Sequence, residues 1–386
     1  MRPIRPQLQS LSVKPLTAVA AALAVLLLAA PSAPARSVPQ GFLGVMYDGG
    51  IEKSADDVQD GQWDLMASSG VETVRTVFDW AEAQPNGPGT AFDFTRTDGF
   101  VRRSALRNVN LLPVIFYAPR WARAYENRFT SPPKSRSDYV TYLAALVERY
   151  GPEGTFWSDH PELPRHPVRE WQIWNEPHLP AYWDAPERGA YGYTRAYPLL
   201  LRSSYNIVKS LDPGAKIVLA GLTQRAWEEI EVLYQHHIKP YFDVAALQIF
   251  PQTVKRSVKA SGLFRDALRA RRDGRKPIYV TEISWPASKG RTQGIKYQRQ
   301  ETASGMASKL GKMYSAMARN RRKLGIGKVF WYTWSSPYGR GGSIFNYAGL
   351  QQFDYQSFAA QPALGSYQRA ARRLEGCRKT TTGVCQ

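Results

Sequence analysis

Eight short apolar runs, each followed by a stretch with helical spacing, recur along the 386-residue chain. That alternation leaves few folds open. The runs cover 42–47, 71–78, 111–116, 171–174, 216–220, 244–250, 278–281 and 329–334. The intervening spacing predicts helices over 55–69, 97–108, 139–150, 194–211, 226–237, 254–272, 297–320 and 358–374. Punctuation agrees: Ser54 and Ser137 are N-cap candidates, and Gly70, Gly151 and Asp212-Pro213 are stops. The 171–174 run is a short buried-strand pattern, and 71–78 shows strand alternation in Val-Glu-Thr-Val-Arg-Thr-Val. Eight strand–helix units predict a single-domain (β/α)8 barrel. A doubly wound open sheet would need a glycine-rich phosphate turn after an early strand, which Asp48-Gly49-Gly50 does not supply. A hydrophobic share of 43% suffices for one large core.

The ends read differently. Arg2, Arg5 and Lys14 precede an apolar run at 16–30, and Ala33-Pro34-Ala35 is a small-residue cleavage pattern. Residues 1–35 therefore read as a signal peptide, which places the protein outside the cell, and 36–41 as a linker. An uncleaved anchor is the alternative; no later segment is apolar enough to span a bilayer. The expected catalytic domain is 42–375, followed by a tail over 376–386. That tail holds the two cysteines, Cys377 and Cys385. In an oxidising compartment they would close one loop, worth roughly 2 to 3 kcal/mol.

The formal charge is +19, and +16 without Arg2, Arg5 and Lys14. This favours an anionic partner: acidic polysaccharide, cell-wall polymer or nucleic acid. A solvated basic surface is the simpler reading, because the basic runs at 269–276 and 319–328 lie at expected helix ends, where they can face water and complement the macrodipole.

Two strands end in a glutamate. Trp171-Gln172-Ile173-Trp174 runs into Asn175-Glu176-Pro177, and Pro277-Ile278-Tyr279-Val280-Thr281 into Glu282-Ile283-Ser284-Trp285-Pro286. Proline stops ladder pairing, so both carboxyls should sit at strand ends, where such barrels hold their active sites. Paired carboxyls suit glycoside cleavage: one protonates the leaving oxygen and the other attacks the anomeric carbon. Arg75, Gln248 and Trp334 also fall at or near strand ends, and Arg75 beside Glu282 would hold that carboxylate ionised.

These segments, WQIWNEP at 171–177 and VTEISWP at 280–286, resemble the fourth- and seventh-strand signatures of clan A glycoside hydrolases, most closely the family 39 and family 5 type, including bacterial exopolysaccharide-cleaving members. VRTVFDWAEAQP at 74–85, LLPVIFYAPRWA at 111–122 and VFWYTW at 329–334 extend the resemblance over nearly all of the chain after residue 35. It implies a retaining double displacement with Glu176 as acid and base and Glu282 as nucleophile. Asn175 would bind the sugar 2-hydroxyl, and Trp334 would be the stacking floor. Trp285, Trp121 and Trp80 are further sugar-contact candidates, whereas Trp171 reads as core.

The chain departs from that pattern at two places. Where His-x-Tyr is frequent on the sixth strand, it has Gln248-Ile249-Phe250, so the tyrosine hydroxyl that would bond the nucleophile must come from elsewhere, with Tyr332 or Tyr47 as candidates. His178 stands where Asn is frequent after the Asn-Glu-Pro triplet, and could bind sugar or act as a cation beside Glu176. No metal or dinucleotide motif is present, so no cofactor is expected. The partner is then a poly- or oligosaccharide, neutral or acidic, with no specific nucleic acid. A non-catalytic carbohydrate-binding barrel and a basic adhesin for anionic wall polymer are the alternatives.

Overall fold

The computed structural model describes Met1 and residues 35–48, 50–292, 300–337, 342–354 and 357–376. The export segment between Met1 and Ala35, and the Cys377–Cys385 pairing with nearly all of the tail, lie outside the described residues.

The eight strands are β1 (Leu43–Met46), β2 (Thr73–Asp79), β3 (Asn110–Phe116), β4 (Glu170–Ile173), β5 (Lys216–Val218), β6 (Ala245–Ile249), β7 (Ile278–Ile283) and β8 (Ile326–Trp331). They pair in parallel in the order β5-β4-β3-β2-β1-β8-β7-β6. Parallel bridges Val218–Val244 and Leu222–Leu247 join the two ends of that order, so the sheet curls into a barrel. A helix follows each strand: Asp56–Ser68, Thr95–Arg107, Arg136–Tyr150, Tyr193–Leu211, Ala226–Gln235, Val254–Ala270, Ala303–Leu324 and Pro362–Glu375.

Most expected elements are present, with shifted bounds. The 139–150 helix starts earlier because Ser135, not Ser137, caps it by accepting from the Asp138 N–H at 3.3 Å. The last helix begins only at Pro362, because Phe358–Ala360 pairs antiparallel with Gln351–Phe353 in a small three-stranded sheet. Residues 36–41 are no free linker. Arg36 pairs with Glu72, the Ser37 N–H donates to Leu374 O at 2.9 Å, and Val38 is buried.

Strand alternation sorts side chains between lumen and helix layer. On β4, Trp171 turns outward into the core while Glu170 and Gln172 turn inward. Burying an indole like Trp171 contributes roughly 2–3 kcal/mol. On β8, Lys328 and Phe330 turn inward. Phe330 fills the lumen only because β1 carries Gly44, where a Cβ would stand 2.5 Å from its ring. Leu112, Val218, Val244, Ala246, Tyr279 and Phe330 form an apolar plug. Below it Lys328 and Tyr279 bond Glu170, each at 2.7 Å. Above it lie the polar groups of the mouth.

Candidate active site

Arg75 is the inward residue of β2 just below the mouth, and only 1% exposed. A buried guanidinium must spend its N–H groups on acceptors. Nε donates to Gln172 Oε1 at 2.7 Å, Nη1 to Glu282 Oε1 at 2.7 Å, and Nη2 to Asn175 Oδ1 at 2.9 Å. Gln248 on β6 approaches from the other side. Its Nε2 donates to Glu282 Oε1 at 2.8 Å and to Asn175 Oδ1 at 2.9 Å. Four strands, β2, β4, β6 and β7, and the loop after β4 are thereby tied to one point.

The backbone leaving β4 is bent sharply enough to present both residues of the motif. Trp174 and Glu176 have φ of +67° and +40°, left-handed conformations that cost roughly 1–2 kcal/mol each for non-glycine residues. Trp174 is held in place by its indole N–H, which donates to Tyr182 O at 2.8 Å, and by an edge contact on Phe116. Asn175 and Glu176 then face a cavity of about 960 Å³, which Glu282 and Arg75 also line.

The two glutamates share this cavity but not their surroundings. Burial pushes the Glu176 carboxyl up to about 9; the nearby Glu282 charge adds to this, and Arg75 opposes it. Glu176 makes no ion pair among the described residues. Burial raises Glu282 as well, but the Arg75 charge and its hydrogen bond pull it down. Like charges this close cannot both ionise freely. The pair's proton belongs on Glu176, and the negative charge on Glu282, where two N–H donors already point. Asn175 Oδ1 is filled by the same two donors, which turns its Nδ2 outward as a free donor to a ligand.

The aromatic expectations are corrected. β8 ends at Trp331, three residues before the expected bound. Tyr332 therefore stands at the rim and lines the cavity, while Trp334 is fully buried, its N–H given to Gln62 Oε1 at 2.9 Å. Trp285 is also fully buried, against Trp331. Trp80 and Trp121 pack edge to face and donate to Gln84, off the cavity wall. Gln248, expected to touch sugar, instead touches Asn175 and Glu282. His178 is no cation near neutrality: burial lowers it to about 4. Its Nε2 accepts from the Thr223 N–H at 3.4 Å, and its Nδ1 has no partner among the described residues.

Neither expected tyrosine replaces the hydroxyl missing at Phe250. Tyr332 is bonded to Asp48, and Tyr47 reaches Gln59 at 3.5 Å. Phe250 does line the cavity, edge-on to Tyr332 and Phe345. The sequence reading passed over Asp48, Tyr117, Phe129 and Tyr182, all on the wall. Asp48 is pushed up to about 7 by burial, although Thr333 donates to it at 2.5 Å. Its place directly after β1 was the available signal. Phe129, 60% exposed and tilted against Tyr117, comes from the 120–136 loop; the 152–168 connection contributes nothing to this wall.

No family model and no curated protein matches the sequence. Solved structures do match the fold. A family 39 glycoside hydrolase from Bacteroides cellulosilyticus WH2 superposes with a TM-score of 0.63 at 20% identity, over 88% of this chain and 64% of that one. A GH39 β-xylosidase from Caulobacter crescentus gives 0.62 at 17%, over 87% and 72%. A GH5_18 protein from Streptomyces cattleya, in complex with Manb1-4GlcNAc, gives 0.63 at 16%, over 89% and 82%. The chain thus spans about two thirds of the family 39 proteins' length. At these identities the likeness is one of fold: the barrel is shared with glycoside hydrolases.

Proposed function

We propose that the protein is a retaining glycoside hydrolase acting on a poly- or oligosaccharide. The observation that carries this reading is the unequal environment of two carboxyls in one cavity. Glu282 is gripped by Arg75 and Gln248, and Glu176 by neither. Glu282 is then the nucleophile and Glu176 the proton donor. In the first step a Glu282 oxygen bonds the anomeric carbon, the bond to the leaving oxygen breaks, and Glu176 protonates that oxygen. In the second step Glu176 takes a proton from water, whose oxygen displaces Glu282. The outward Nδ2 of Asn175 would hold the sugar 2-hydroxyl, and Tyr332 is the stacking candidate.

The cavity wall also bears on the sugar's charge. Six carboxyls line it, Asp48, Glu52, Asp79, Glu82, Glu176 and Glu282, against three cations, Lys53, Arg75 and Arg96. Each cation is already paired with one of those acids. This favours an uncharged sugar at the reacting position, despite the basic surface. The neighbouring folds act on xylosides and glucosides or bind Manb1-4GlcNAc; for this chain, aryl β-xylosides and β-glucosides are the first probes.

Incubation with 2-deoxy-2-fluoro-β-D-xylosyl and -glucosyl probes should add one glycosyl mass to the peptide containing Glu282. Mass spectra showing label elsewhere, or none alongside hydrolysis with inverted anomeric configuration, would overturn the assignment. Export is proposed from the 16–30 run and Ala33-Pro34-Ala35. Sequencing of secreted protein should find an N-terminus near Arg36.

A further inference from the structure

We infer that Gln248, admitted to the lumen by Gly221, is a positioning residue that commits one oxygen of Glu282 and leaves the other as the attacking atom. The consequence for catalysis rests on the glycosidase reading; the wiring rests on distances alone. Glu282 Oε1 accepts from Arg75 Nη1 and Gln248 Nε2 at 2.7 and 2.8 Å. Among the described residues Oε2 accepts from nothing. Asn175 Oδ1 is held by the same two side chains, each at 2.9 Å. The Gln248 amide cannot be turned over, because its oxygen would then face the carboxylate.

Two observations mark this arrangement as specified. Gln248 is 1% exposed, yet its Oε1 is buried without a partner among the described residues. Leaving such an acceptor unmet works against folding, so stability alone does not account for a glutamine here. A Cβ at Gly221 would stand 2.5 Å from Gln248 Nε2 and 2.6 Å from Cδ. Any larger residue at 221 would push the amide off the carboxylate. Gly221 and Gln248 are thus one device built from the segment after β5 and the end of β6.

With Oε1 committed, Oε2 forms the bond to the anomeric carbon and Oε1 becomes the ester carbonyl. When water displaces the ester, the charge returns to a carboxylate whose Oε1 is already met by both donors. The Gln248 amide carries no titratable proton, so its support of Glu282 is independent of pH. The charged and titratable groups facing Glu282 are Arg75 from β2, Glu176 and Tyr182 after β4, Asp48 after β1 and Tyr332 after β8. None of them bonds Gln248.

The test is a carboxyl titration by 13C NMR on the full chain labelled at glutamate Cδ, with Glu282→Gln to assign the signal. Gln248→Met removes the donor at similar volume, and Gly221→Ala displaces it. Both should move the Glu282 midpoint upward by about one pH unit. Gln248→Asn, still polar but too short to reach, asks the same question if Gln248→Met does not fold. A folded Gln248 variant with an unmoved midpoint would overturn the assignment. No substrate enters the measurement, so a protein that titrates as expected but cleaves no sugar would refute the hydrolase reading and leave the wiring intact.

Discussion

The barrel holds a buried glutamate beside a cation at each end of its lumen, and the two ends behave oppositely. At the floor, burial raises the Glu170 carboxyl, but Lys328, Tyr279 and Lys216 together bring it below the usual carboxylate range. Its charge is fully met. At the mouth one guanidinium lies near two carboxyls but bonds only that of Glu282, and both are raised. Each end sets glutamate against basic side chains, Lys328 and Lys216 at the floor and Arg75 at the mouth, but the ratio of acids to cations differs. A matched cluster closes the barrel, whereas a surplus acid holds a proton that can be given away.

The sharpest way to break this contrast is to neutralise each glutamate in turn. Glu282→Gln should lower kcat by about 10^4-fold or more on an aryl glycoside while keeping the urea midpoint close to wild type, since the amide oxygen still faces Arg75. Glu170→Gln should do the reverse. Lys328, 9% exposed, loses its charge partner, so stability should fall by about 3 kcal/mol in urea unfolding while kcat/KM stays within about twofold. Equal loss of rate in both variants would dissolve the distinction between the ends.

A smaller effect separates the two aromatics near the end of β8. Tyr332→Ala should cut kcat/KM by about 10- to 100-fold, because a ring on the cavity wall is lost. Trp334→Phe should leave kcat/KM near wild type and cost about 1–2 kcal/mol, since it removes a buried bond to Gln62. A raised KM in the Trp334 variant alone would return it to the sugar site.

The smallest effect concerns the surplus acid itself. The folded Glu176 carboxyl lies near 9, above its unfolded value. The stability tied to its proton is therefore full below the unfolded value and is lost as pH rises through about 9. Glu176→Gln carries no such loss, so its advantage over wild type in thermal unfolding should grow as pH rises from about 5 to 9. The wild-type rate on a substrate that needs protonation should fall over the alkaline part of that range. A pH-independent difference in stability would argue against a shared proton.

Much of the barrel was legible because strand and helix periodicities depend on local sequence. Trp171 and the Asn175-Glu176-Pro177 turn fell where the runs put them. The eighth strand shows the limit. A strand read over 329–334 points both Tyr332 and Trp334 inward, and only the end at Trp331 decides between them. That end depends on pairing with β1 and β7, which no local pattern encodes. The misread histidine has a similar cause: a free imidazole titrates near neutrality, and burial alone removed its charge.

The sequence by itself determined eight strand–helix units and placed one glutamate just after the fourth run and another just after the seventh, because hydrophobic period and proline act over a few residues. Only the tertiary structure decided which glutamate keeps its charge. Arg75, Gln248 and Gly221 lie 207, 34 and 61 residues from Glu282 in sequence, and electrostatics depends on distance through space. The lumen brings them within hydrogen-bond reach, and that contact assigns the proton to Glu176.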